Sequence, residues 1–174
     1  MELEIIAQII GFIPLILSYV SYCFNDRKKM LITKFSIDLL GVVHHVLLGP
    51  EGYSGAVVNL INSTRSIVYM NKDKIKRGQI FIPIVFVTIT MVSAIFTWVG
   101  PISLLPVLGS ALAVVGYWCT KPENIRKFNL PGVTLWLIYS IAIFSISGII
   151  GNCLAVISII NTEIRCRKEQ KKGV

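Results

Sequence analysis

Two charged side chains, Asp38 and Arg65, stand inside long apolar stretches of this chain, among amides, two histidines and a tryptophan. Placing a charge at the centre of a membrane helix costs about 2.5–3.5 kcal/mol on insertion scales, so such a charge needs a partner or a task. At 1.5 Å of rise per residue, both lie roughly 10 Å in from the same side of the apolar layer. Opposite charges at matched depth on neighbouring helices predict an ion pair. It would act as a gate or coupling site, or else lock two helices together while the guanidinium snorkels toward the headgroups.

Asn59, Asn62, Ser63 and Ser66 recur at i, i+3, i+4 and i+7, which puts them on one helix face. Such a face lines a cavity for a hydrogen-bonding solute, or bonds across helices for about 0.6 kcal/mol per contact. Asn152 offers a counterpart amide from the other end of the chain. Trp136 lies midway along its apolar run, too deep for the interfacial belt where tryptophan collects. It stacks on a solute or serves as packing. His44 and His45 are neighbours and point about 100° apart on a helix, so they do not converge on one metal ion. With no cysteine or carboxylate at ligand spacing, neither a metal site nor a cofactor is expected. Histidine is the side chain whose ordinary titration falls near neutrality, so a proton-responsive role is open to His44, with hydrogen-bonded packing as the competing one. No nucleophile–base pair stands out, so no catalytic residue and no enzyme activity are expected.

The elements that position these residues follow from composition. Apolar residues make up 54% of the 174 and charged ones 15%, too little polar surface to clothe a water-soluble core of this size. A membrane span takes about 20 apolar residues, and seven would use roughly 140, leaving only short connectors. The runs are 3–24, 31–48, 53–70, 79–98, 102–120, 128–146 and 149–164, broken by turn sequences such as Gly49-Pro50-Glu51-Gly52, Gly100-Pro101 and Lys121-Pro122-Glu123-Asn124. They are apolar on all sides rather than alternating, which predicts helices and not barrel strands. The fold class expected is an all-α membrane protein. Pro14, Pro83, Pro106 and Pro131 interrupt the first, fourth, fifth and sixth runs and permit kinks.

Charge sets the orientation. The net charge of +8 is not spread evenly. Arg27, Lys28 and Lys29 fall in the first connector, Lys72, Lys74, Lys76 and Arg77 in the third, and Lys121, Arg126 and Lys127 in the fifth. Arg165, Arg167, Lys168, Lys171 and Lys172 crowd the C-terminal tail, whereas the other connectors and the N-terminus carry only Glu2, Glu4 and Glu51. Alternation of this kind is the positive-inside pattern, with the N-terminus outside and the C-terminus in the cytoplasm. It leaves no folded basic face for nucleic acid. The acidic N-terminus lacks the positive region of a cleavable signal. Cys23, Cys119, Cys153 and Cys166 share no outer loop, so no disulfide framework is implied.

The chain also repeats itself. Gly11, Ser18 and Tyr19 match Gly109, Gly116 and Tyr117 at an offset of 98, and Gly55 and Asn59 match Gly148 and Asn152 at an offset of 93. Each half starts outside and ends inside, and the fourth run carries the chain back out. That arrangement gives two parallel three-helix bundles joined by a connecting helix, one of the repeat architectures of transporters. The chain then reads as a single membrane domain over 1–174. It comprises a first repeat at 3–70, the connecting helix at 79–98, a second repeat at 102–164 and a basic cytoplasmic tail at 165–174.

The 3+1+3 layout resembles the SWEET, or MtN3/PQ-loop, superfamily, and within it the YgjV-type bacterial inner-membrane family. The resemblance is carried by Leu104-Leu105-Pro106-Val107-Leu108-Gly109-Ser110, the Asn62-x-x-Arg65 pair, His44 before Leu47-Leu48-Gly49, and Trp136. It implies a multi-pass protein of the inner (plasma) membrane and a solute site formed by Asn59, Trp136 and Asn152. The chain departs from the superfamily in having no Pro-Gln dipeptide and no proline in its second helix. The reading that follows is a small-solute transporter working by alternating access, for a sugar or another polar metabolite. Its partners would be that solute and the bilayer, and the sequence allows but does not specify a homo-oligomer. A receptor, trafficking or assembly role on the same scaffold is the alternative, since fold does not fix function.

Overall fold

The computed structural model describes residues 2–75 and 79–171. Among them are seven α-helices and no strand: α1 (Glu2–Cys23), α2 (Arg27–Leu47), α3 (Tyr53–Met70), α4 (Phe81–Phe96), α5 (Leu104–Trp118), α6 (Pro122–Ala142) and α7 (Ile146–Lys171). The basic positions Lys76, Arg77 and Lys172 lie outside the described residues.

Local chemistry explains the helix ends. Asp26 caps α2, its side chain accepting from the Lys29 backbone N–H at 2.9 Å. That bond, with Lys28 and Lys29 alongside, holds the Asp26 carboxyl below its usual range. Pro122 occupies the first position of α6, where its missing N–H costs nothing, and so α6 starts six residues before the expected Phe128. Pro83 and Pro106 each stand third in their helices, within the first turn, where no intrahelical hydrogen bond is lost. Those two helices are therefore not interrupted, and only Pro14 and Pro131 lie inside a helix. Gly49 and Gly100, with φ of 81° and 140°, turn the chain ahead of Pro50 and Pro101. The segment expected as a tail continues α7 as helix through Lys171.

Three helices are long and apolar enough to cross a membrane by length and composition: Arg27–Leu47, Pro101–Trp118 and Ile146–Glu169. Ile10–Cys23 and Phe81–Phe96 are shorter apolar helices. In α3 the run Asn62-Ser63-Thr64-Arg65-Ser66 lowers the hydropathy, and α6 carries charged residues in its first turns.

Packing runs α1–α2–α3–α5–α6–α7 and returns to α1, closing a ring of six helices. α4 packs on α3 and α5 from outside it. The burial pattern is inside-out by the standard of a water-soluble domain. Phe96, Ile95 and Ile80 are 82%, 74% and 69% exposed, while Asp38, Arg65, Ser66 and Ser110 are fully buried. Apolar side chains face outward, and polar ones face the ring interior.

Candidate functional site

The ring encloses a cavity of about 110 Å3, counted as space open to the centre of a water molecule. One water needs about 10–15 Å3 on that measure, so the space suits a small solute of several heavy atoms. Every ring helix lines it and α4 does not. The contributions have helical spacing: Gly11, Pro14, Leu15 and Ser18 from α1, Asn129, Gly132, Trp136 and Ser140 from α6, Gly148, Gly151, Asn152 and Ala155 from α7.

Of the residues singled out in sequence, Asn59, Asn62, Trp136, Asn152 and His44 all reach this cavity. Asn62 Nδ2 donates to Ser110 Oγ at 2.8 Å, and Trp136 Nε1 donates to the same oxygen at 3.3 Å. One serine of α5 thereby ties α3 to α6. Asn62 Oδ1 is buried without a partner. The Asn59 amide makes no hydrogen bond among the described residues and lies against Gly41, where an added Cβ would meet Asn59 Nδ2 at 2.7 Å. Asn152 Nδ2 donates to the Gly148 carbonyl at 2.9 Å and to Ser140 Oγ at 3.1 Å. His44 Nε2 lies 2.8 Å from Ser145 Oγ, which also accepts from the Gly148 backbone N–H at the start of α7. His44 thus fastens the C-terminal end of α2 to the start of α7 while facing the cavity.

The expected Asp38–Arg65 ion pair does not form. Asp38 Oδ1 pairs instead with Lys34 Nζ at 2.7 Å, one helical turn away on its own helix. The Arg65 guanidinium makes no hydrogen bond and rests over the rings of Tyr117 and Tyr69, 5.1 and 5.9 Å from their centroids. Arg65 remains within electrostatic range of Asp38, but neither lines the cavity. An i,i+4 partner on α2 needs no cross-helix alignment, and depth along the bilayer normal carried no information about rotation about the helix axis.

Several lining residues were not among the expected site residues. Asn129 belongs to the same α6 stripe as Trp136, seven residues earlier, so the helix period counted back from Trp136 is the signal that finds it. His45 donates from Nδ1 to the Gly41 carbonyl at 3.0 Å and stacks on Tyr139, with centroids 5.9 Å apart and ring planes 10° apart. Gly55 makes room for it, since a Cβ there would lie 2.1 Å from His45 Cδ2.

The cytoplasmic ends of the helices, in the orientation read from charge, are tied by two arginines. Arg27, opening α2, donates from Nε to the Cys119 carbonyl at 3.0 Å and from Nη2 to those of Tyr69 and Tyr117, each at 3.2 Å. Arg126, in the first turns of α6, donates to Glu163 Oε1 at 2.9 Å, and to the Phe24 carbonyl and Asn25 Oδ1, each at 3.4 Å.

Seven helices with outward apolar faces and a polar interior define an all-helical integral membrane protein. A family model described as Imp-YgjV, bacterial inner membrane protein, matches residues 5–170, and the chain belongs to that family. No curated protein and no solved structure matches it.

Proposed function

We propose that this protein is a small-solute transporter of the inner membrane, not an enzyme. It would move a sugar or another polar metabolite by alternating access between two SWEET-like three-helix bundles, α1–α3 and α5–α7, joined by α4. Seven spans, an N-terminus outside and a C-terminus in the cytoplasm belong to this reading, on the strength of the charge alternation.

One observation carries it: the cavity is lined by corresponding positions of the two halves. Lys34, Ile37, Gly41 and His45 of α2 correspond to Asn129, Gly132, Trp136 and Ser140 of α6 at a constant offset of 95. Gly11 and Leu15 correspond to Gly109 and Ala113 at 98, and Asn59 and Asn62 to Asn152 and Ala155 at 93. The order of helices around the ring is unchanged when α1, α2 and α3 are exchanged for α5, α6 and α7, as a two-fold axis through the cavity requires. A cavity on such an axis is where rocking of one bundle against the other alternates access. Arg27 and Arg126 support the mechanism, because each links its own bundle to the last turn of the other bundle's first helix and holds the cytoplasmic side closed.

Counterflow in liposomes tests the reading. Losing one amide leaves a solute group unsatisfied at about 1–3 kcal/mol, roughly 5- to 150-fold in affinity. Asn59→Ala or Asn152→Ala should weaken uptake by that factor while the protein still inserts and folds. Binding without counterflow would favour the receptor alternative.

A further inference from the structure

We infer that the cavity is built for an uncharged solute that donates hydrogen bonds, through N–H or O–H groups, into a surplus of protein acceptors. The inference rests on the solute-site reading above and narrows it.

Three acceptors have their orientation fixed by a backbone carbonyl, which can only accept. Asn129 Nδ2 donates to the Ile125 carbonyl at 2.7 Å, which turns Oδ1 away from it. Asn152 Nδ2 has both hydrogens engaged, on the Gly148 carbonyl and Ser140 Oγ, and leaves Oδ1 open. His45 Nδ1 must carry the proton it gives to the Gly41 carbonyl, so Nε2 presents a bare lone pair. None of the three accepts a hydrogen bond among the described residues, yet Asn129 and His45 are 2% and 6% exposed. The indole N–H of Trp136 is already engaged by Ser110 Oγ. Wholly unpartnered acceptors therefore outnumber unpartnered amide and indole donors at the wall, with the unpartnered Ser21 hydroxyl able to serve as either, and a buried acceptor left unmet is costly.

Charge narrows the solute further. No carboxylate is among the residues lining the cavity, so a cation would find no counter-ion. Lys34 does line it, but its charge is already matched by Asp38. An anionic solute would bring further lone pairs to a wall of lone pairs. What remains complementary is a neutral donor, with the Trp136 ring at its side.

The test varies the solute, so it does not depend on a variant folding. Saturation-transfer NMR on wild-type protein in nanodiscs would compare erythritol with its tetra-O-methyl ether and acetamide with N,N-dimethylacetamide, with acetate and methylammonium added. Erythritol and acetamide should receive saturation and compete with each other, and the other four should not. Asn152→Leu should weaken erythritol about 5- to 140-fold. Binding of a methyl-blocked member, acetate or methylammonium as tight as that of the donors would overturn the inference and leave the solute site standing. Absence of binding by every member would remove both. Donor binding without counterflow in liposomes would uphold the inference and remove transport.

Discussion

The backbones of α5 and α6 approach closely at Gly109 and Gly132, and the approach makes a quantitative prediction. A Cβ added at Gly109 would lie 2.8 Å from the Gly132 carbonyl oxygen and 2.9 Å from Trp136 Cδ1. A Cβ at Gly132 would lie 2.7 Å from the Gly109 carbonyl oxygen. Carbon–oxygen contacts settle at about 3.3–3.6 Å, so either methyl must push the helices apart by about 0.6 Å. A gap of that size forfeits about a quarter to a half of each dispersion contact along the pair. In a bilayer, where lipid tails are as apolar as the helices, such close packing is a main source of helix association. Gly109→Ala and Gly132→Ala should each destabilise by about 1–3 kcal/mol, the usual cost of overpacking.

Helix propensity pulls the other way, since alanine is better than glycine by about 0.8–1.0 kcal/mol in a helix interior. Gly151→Ala is the control. Its Cβ would meet Leu15 at 3.6 Å, an ordinary contact, so it should be neutral or stabilising. Once one methyl has parted α5 and α6 the second finds room, so the double mutant should cost less than the sum of the singles, by at least about 0.5 kcal/mol. Equilibrium unfolding in mixed micelles titrated with SDS measures all four proteins. A stabilising Gly109→Ala, or strict additivity, would refute the close approach.

Removing Lys34 strands the buried Asp38 carboxylate, so Lys34→Ala should cost about 3–5 kcal/mol and Asp38→Ala in that background should recover part of it. In the same SDS titration a larger coupling of Asp38 to Arg65 than to Lys34 would contradict the geometry. Replacing Arg27 and Arg126 together by alanine should raise, several-fold, the labelling of a cysteine at Ala113 in inverted membrane vesicles; an unchanged rate would mean that the arginines do not hold that end closed. For topology, an impermeant thiol reagent on intact cells should label a cysteine at Glu51 and spare one at Lys74, and the reverse would invert the orientation.

Apolar runs and turn residues located all seven helices because nothing in a membrane helix competes with hydropathy as a signal. Ends were less legible. Lys121 and Pro122 read as a break, when proline at a first helical position is as much a start signal, and the expected start of α6 falls six residues late. The meeting of Asn59, Asn62 and Asn152 at one cavity was legible from spacing and offset, since helix period alone decides which residues share a face. Partner choice was not. Asp38 and Arg65 matched in sign and depth, but rotation about the helix axis turned Arg65 to Tyr117 and left Asp38 to Lys34. Nor could the sequence rank His45 above His44, because the distinction rests on the Gly41 carbonyl and the space at Gly55.

The two halves correspond in position but not in chemistry, and that difference has a mechanical consequence. Where the first half has Gly41 the second has Trp136, and where the first has Lys34 and Asn62 the second has Asn129 and Ala155. A solute on the axis would therefore meet the Trp136 ring on one side and, on the other, Gly41 with the Asn59 amide laid against it, so it would sit off-axis and in one orientation. The arginines differ as well. Arg27 donates to carbonyls at the C-terminal ends of α3 and α5, where the helix dipoles favour a cation. Arg126 adds the Glu163 carboxylate, a charge-assisted bond of the stronger kind. On the alternating-access reading, opening that side must release both. Single replacements test each in turn: Arg27→Ala and Arg126→Ala should each raise Ala113-site labelling, and an unchanged rate for either would show that this arginine does not hold the closure.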